Sequence, residues 1–229
     1  MSRAKTAIHR QTAVFTSNYT VVFTLIFEVI EVAGQFFYSG FSILVEEKQM
    51  NEQMLEIFLN RRSIRSFTGE AVPMDKLNQI IMAGLSSASS RAARPWELIV
   101  IRDKDKLIDM SGCRLKGSSR MLAGADAAIV VVGDEERSDV WIEDCSVVMA
   151  NMHLMASALG VGSCWIQGRG RDAIDGETTE DYLRRILQFP AECRLEAILA
   201  LGMPDEELPA RFFAASAQPA SSRVGAISS

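Results

Sequence analysis

The sequence predicts one domain in which helices alternate with strands around a single sheet, of the α/β or α+β class. Three observations carry this. The run Ala127–Val132 is uninterrupted apolar, as a strand buried on both faces must be. The segment from Ser138 to Leu159 is the longest with helical periodicity, and Gly160 closes it. Further strand-like runs at Glu97–Ile101, Ser163–Gln167 and Leu195–Leu201 are set apart by helix-like or turn-rich stretches.

In chain order, a helix is expected from about Asn51 to Asn60, with Met54, Leu55, Phe58 and Leu59 on one face turned inward. Pro73 opens a second, since the first helical turn tolerates its missing N–H. Leu77, Ile80, Ile81, Gly84 and Leu85 line that helix's apolar face. Asp103–Ser111 reads as a third helix. In the long segment Ser138 is the expected N-cap, Asp139 a favourable first-turn charge and Gly160 the C′ residue. Apolar residues occupy nearly every face of it, so it belongs in a core or an interface. Thr179–Leu187 is the last helix. No internal repeat is found.

The 229 residues suffice for one sizeable core, and a composition 48% hydrophobic and 23% charged is that of a globular protein. A net charge of −5 gives no basis for a nucleic-acid or membrane surface. The four cysteines are widely spaced and the histidines number two, which excludes a zinc site of usual spacing. Three of the cysteines lie in apolar runs and read as buried hydrophobes in a reducing compartment, which places the protein in the cytoplasm.

Residues 1–49 differ in character. They are rich in Phe, Val, Ile and Thr, yet the apolar run Val21–Phe27 is too short to span a bilayer. Glu46-Glu47-Lys48-Gln49 reads in frame as a purine-rich ribosome-binding stretch just before Met50. The expectation is that Met50 is the natural start and residues 1–49 are an extension; intact mass of protein from the native host, beginning at Met1 or Ser2, would refute it. The alternative is an accessory segment, helical around Phe23–Gln35, covering a partner subunit. The expected organisation is thus an atypical extension over 1–49, a domain over 50–213, and an Ala/Ser-rich disordered tail over 214–229.

Chemistry is concentrated in Arg61-Arg62-Ser63-Ile64-Arg65. Three guanidiniums and a hydroxyl within five positions suit phosphate oxygens, although the same residues also suit a solvated helix C-terminus. Gly168-Arg169-Gly170-Arg171-Asp172-Ala173 follows a strand and loosely matches a dinucleotide-binding turn, but Ile174-Asp175-Gly176 interrupts where the helix should begin. His153, mid-helix among methionines, reads as a hydrogen-bonded core or interface histidine. There is no Gly-x-Ser-x-Gly, no Walker loop and no paired-carboxylate signature. Redox chemistry carried by a bound cofactor would need none of these.

Four blocks in order resemble the nitroreductase family of FMN-dependent oxidoreductases. They are Asn60–Phe67; Ser89-Ser90-Arg91 with Arg94-Pro95-Trp96-Glu97; Trp141–Cys145 continuing through Asn151-Met152 to Ala158–Trp165; and Ala200-Leu201-Gly202-Met203-Pro204. The resemblance implies an α+β fold with a central mixed sheet flanked by helices, and an entwined homodimer with two FMN sites at its interface. It implies that Arg61, Arg62, Ser63 and Arg65 hold the FMN phosphate and ribityl chain. Ser89, Ser90 and Arg91 would approach from the partner subunit, Ile166, Gln167 and Gly168 would follow the isoalloxazine edge, and Arg211 would add a phosphate contact. NADH or NADPH would reduce the flavin at N5, and a small electron-poor acceptor such as a nitroaromatic or a quinone would reoxidise it, without a catalytic side chain. Dehalogenation, flavin breakdown, or a flavin-binding scaffold without turnover are the alternatives. Ala92 stands where the family usually has an asparagine, and the basic C-terminal motif is reduced to Arg211.

Overall fold

The computed structural model describes residues 52–209. The chain divides into two compact units, Met1–Gln53 and Met54–Ser229, and the sheet with its helices belongs to the second. The expectations for residues 1–49, for the tail from Ala214 and for Arg211 lie outside the described residues.

The elements are α1 (residues 52–60), α2 (Met74–Leu85), β1 (Trp96–Ile101), α3 (Lys104–Met110), β2 (Ala127–Asp134), α4 (Trp141–Ala158), β3 (Gly162–Gln167), α5 (Thr179–Leu187) and β4 (Cys193–Gly202). The fold is α+β. Four strands form one sheet in the order β1-β2-β4-β3. Every pairing among the described residues is antiparallel, where the expectation was a mixed sheet. The order explains this: β2 and β3, joined by the α4 crossover, run parallel to each other but do not pair, because β4 lies between them and runs antiparallel to both.

β2 is buried along both faces, as its unbroken apolar run demands, with Ala127 to Val132 wholly inaccessible. On one face Ile129, Val131, Leu199 and Leu201 pack under α2 and α4 through Leu77, Ile80, Met149 and Met152. On the other, Val130, Val132, Ile198 and Ala200 meet α3 and α5 through Leu107, Met110 and Leu183. A bulge between Val131 and Val132 leaves Glu196 as the extra residue of β4. All four cysteines are free and buried, and burial pushes the Cys145 thiol up to about 12, so none is a ready nucleophile.

The helix ends follow local chemistry. Asp103 caps α3 by accepting from the N–H groups of Asp105 and Lys106. α4 ends as expected: Gly160 has φ +69°, and the Val161 N–H closes back on the Ala156 carbonyl at 2.8 Å, a Schellman closure. Its start differs. Ser138 is not the N-cap, and α4 begins three residues later with Val140 at the cap. The Ser138 hydroxyl is instead spent on the buried Asp144 carboxylate at 3.1 Å.

α1 also departs from expectation. Its apolar face does not turn inward: Met54, Leu55 and Phe58 are 56, 58 and 54% exposed. Periodicity identifies an apolar face but not what covers it.

Candidate functional site

The arginine-bearing segment is anchored at both ends. The Arg61 N–H still bonds the Ile57 carbonyl at 3.1 Å, so the last turn of α1 fixes where Arg61 starts. The chain then follows the outer edge of β3. The Ile64 N–H donates to the Ser163 carbonyl (2.9 Å), Phe67 bridges to Pro204, and the Thr68 N–H donates to the Met203 carbonyl (3.0 Å). Gly202 permits this close approach, since a Cβ there would lie 2.7 Å from two Phe67 ring atoms. Glu206 reaches back to accept from the N–H groups of Arg65 (2.5 Å) and Ser66 (3.1 Å), and these bonds hold its carboxyl below the usual carboxylate range.

Between this segment, α4 and β3 lies a cavity of about 400 Å³. Arg61, Ser63 and His153 form a polar side, and Phe58, Ala150, Leu154 and Trp165 an apolar one. That size and mixture are usual for a small-molecule site. Of the four residues expected to bind phosphate, Arg61 and Ser63 line the cavity. Arg62 and Arg65 lie off it, with the Arg62 guanidinium donating to the Pro209 carbonyl and that of Arg65 to the Ser63 carbonyl at 3.0 Å.

His153 is hydrogen-bonded, as its sequence context suggested, and its partners are informative. Arg61 Nη1 stands 2.7 Å from Nε2, and Ser163 Oγ stands 2.6 Å from Nδ1. A guanidinium can only donate, so Nε2 must accept and Nδ1 must carry the proton it donates to Ser163. Burial, reinforced by the Arg61 charge, lowers the His153 pKa to about 4 and keeps the ring neutral.

Ser89, Ser90 and Arg91 are not brought to this cavity within one chain. They sit at the other end of α4, where the Ser90 N–H donates to Asp144 at 2.9 Å and Arg91 pairs with Asp139 at 2.5 Å in the open. From Asp144 to His153 the helix rises about 14 Å. Ser89 accepts from the Arg94 N–H at 3.0 Å. Arg91, Ala92 and Arg94 are all left-handed, with φ of 50°, 55° and 46°. Asparagine tolerates that conformation better than alanine.

The end of β3 divides its expected ligands. Trp165 packs on the α4 side, and its Nε1–H donates to Gln167 Oε1 at 3.0 Å. The Gln167 amide donates in turn to the Glu196 carbonyl and carboxylate (3.1 and 3.3 Å). Ile166 points the opposite way into the core, 3% exposed, so its side chain is not open to a ligand. The Gly168 N–H bonds the Glu196 carbonyl, and Gly168 opens onto a second, charged cavity with Arg169, Arg171 and Arg194. The Gly168–Ala173 turn is no dinucleotide site of the usual kind, because the next helix begins only at Thr179. Sequence reasoning missed the joint role of His153 and Ser163, which are ten positions apart on a helix and a strand. Among the described residues no cluster of metal-ligating side chains occurs, and no helix is long and apolar enough to cross a membrane.

The fold and cavity define an α+β domain with a small-molecule site beside its long central helix. The nitroreductase family model matches residues 59–116 and 109–203. The chain is 42% identical to an FMN-dependent nitroreductase from Clostridium difficile R20291, with a TM-score of 0.68 covering 69% of this chain and 92% of that one. It is 33% identical over 160 residues to a protein of Archaeoglobus fulgidus provisionally named NADH dehydrogenase/NAD(P)H nitroreductase, covering 68% of this chain and 88% of that one. A nitroreductase structure from Desulfovibrio desulfuricans, in complex with FMN, is 26% identical at a TM-score of 0.57, covering 71% and 93%. This chain belongs to the nitroreductase family.

Proposed function

We propose that the protein is a cytoplasmic, homodimeric FMN-dependent oxidoreductase. It takes reducing equivalents from NADH or NADPH and passes them to an electron-poor small molecule, a nitroaromatic or a quinone. The observation that supports this most is the half-polar cavity at Arg61 and Ser63, in a chain whose relatives are named for FMN and NAD(P)H.

The residues present fit FMN. The Arg61 guanidinium and Ser63 hydroxyl supply donors for phosphate and ribityl oxygens, and Trp165, Phe58 and Leu154 supply apolar surface for a flat ring. Arg62 and Arg65 join them by exchanging neutral carbonyl acceptors for anionic oxygens, which form the stronger bond. Bound FMN supplies the hydride chemistry. The chain binds, orients and excludes water, and no side chain is assigned as acid or base. Gln167 and Gly168, held by Glu196, keep the end of β3 rigid.

Apolar surface supports the homodimer. Val147 is 42% exposed on α4, and Met54, Leu55 and Phe58 are exposed on α1. Clustered surface of this kind is covered on association. Ser89, Ser90 and Arg91, remote from the cavity in their own chain, then serve the partner's site.

The test is a visible spectrum of the purified protein, chromatography of the flavin released by heat, and anaerobic titration with NADH and NADPH. Oxidised-flavin bands, FMN at about one per subunit and bleaching by either nicotinamide are the expected results. Protein that stays colourless after FMN is added would sink the proposal. Bound flavin that no nicotinamide bleaches would favour a scaffold, and product analysis over an acceptor panel would separate nitro or quinone reduction from dehalogenation.

A further inference from the structure

The proposed chemistry gives His153 no part, yet it is one of the most constrained polar groups in the molecule. It is 5% exposed on α4, and Ser163 beside it is 2% exposed. Both ring nitrogens are engaged at short distances, Nε2 with Arg61 at 2.7 Å and Nδ1 with Ser163 at 2.6 Å. The roles cannot be exchanged, because Arg61 has no acceptor to offer. The same Ser163 accepts the Ile64 N–H through its carbonyl. One residue of β3 therefore holds the arginine-bearing segment twice, by its backbone and, through the imidazole, by its side chain.

Resting on the FMN reading above, we infer that His153 is a positioning residue for the cofactor: the Ser163–His153 pair fixes the Arg61 guanidinium at the cavity in readiness for an anionic ligand. Arginine is a long side chain whose freedom must be lost on binding. A buried neutral acceptor that takes one N–H removes much of that freedom beforehand. Neutral imidazole suits this role better than a carboxylate. It orients the guanidinium without itself placing a negative charge beside the phosphate. The arrangement parallels the outer partners that orient primary ligands at other sites.

The test uses the full-length protein stripped of flavin, with the FMN dissociation constant read by fluorescence quenching. Glutamine carries an acceptor that reaches the Nε2 position, whereas asparagine reaches only the Nδ1 position. H153Q is therefore expected to bind FMN within about threefold of wild type, while H153N and H153L bind about tenfold more weakly, a charge-assisted hydrogen bond being at stake. In an R61A background, H153L is expected to add nothing further, since His153 acts only through Arg61. H153N is the safeguard should H153L fold poorly. Equal affinity for wild type, H153Q and H153N overturns the inference and leaves the FMN reading intact. Full additivity of H153L with R61A also overturns it, by showing a merely structural role. A wild-type protein that takes up no FMN overturns both.

Discussion

The two ends of α4 are built on opposite plans. At the C-terminal end, the Arg61 segment is anchored to β3, with its side chain held by a buried histidine and its backbone by Ser163 and Glu206. At the N-terminal end, Ser89–Arg94 turns through three left-handed non-glycine residues, and Arg91 meets Asp139 with both side chains about three-quarters exposed. The first end has its polar groups oriented before any ligand arrives. The second carries backbone strain at an open turn, held in its own chain by the Ser90 bond to Asp144 and the Arg94 bond to Ser89. Ordered donors and strained loops thus share one helix, at its two ends.

The sharpest way to break this contrast is to remove the arginine. Arg61→Ala should weaken FMN binding at least a hundredfold, about 3 kcal/mol, because a charge-assisted contact is lost and His153 is left without its donor. Flavin-to-protein ratio after gel filtration reads this directly, and full retention would refute the site. The next effect is in pH. His153 is protonated near 6.5 in the unfolded chain and only near 4 in the folded one. Between these values the unfolded state holds more protons, so stability falls as pH drops through the window and levels off below it. His153 should contribute on the order of 3 kcal/mol to that loss. Urea denaturation from pH 7 to 4 should therefore be flatter for His153→Gln than for wild type.

Two smaller tests sharpen the comparison. Gly202→Ala places a Cβ against the Phe67 ring and should destabilise by roughly 1–3 kcal/mol, lowering the melting temperature and loosening the Arg61 segment. At the strained end the sign reverses. Ala92→Asn suits a φ of 55° and should stabilise by up to about 1 kcal/mol, seen as a higher melting temperature. Asp139→Asn, which cuts only an open ion pair, should change stability by less than about 0.5 kcal/mol. A large loss there would mean the Arg91 end is better ordered than its exposure indicates.

Much of this protein was legible in the sequence. The apolar run of β2, the periodicity of α2 and the closure at Gly160 each follow from local chemistry, which is what a sequence displays, and the four ordered blocks were legible as a family resemblance. The donor character of Arg61 and Ser63 follows from local chemistry too. The tertiary structure decided the rest. Ser138 could have capped α4, but its hydroxyl meets Asp144, a partner no spacing rule reveals. The face of α1 is apolar in the sequence and uncovered in the chain, since coverage depends on neighbours far away or on another subunit. Ile166 and Gln167 are adjacent, yet strand alternation sends one into the core and the other toward α4. Of four candidate donors within five positions, the path along β3 turned only Arg61 and Ser63 to the cavity. His153 showed the division most clearly. Its sequence context marked it as a satisfied histidine, and only packing α4 against β3 and the Arg61 segment could join it to Arg61 and Ser163, because side-chain pairing across elements is set by three-dimensional packing and not by spacing along the chain.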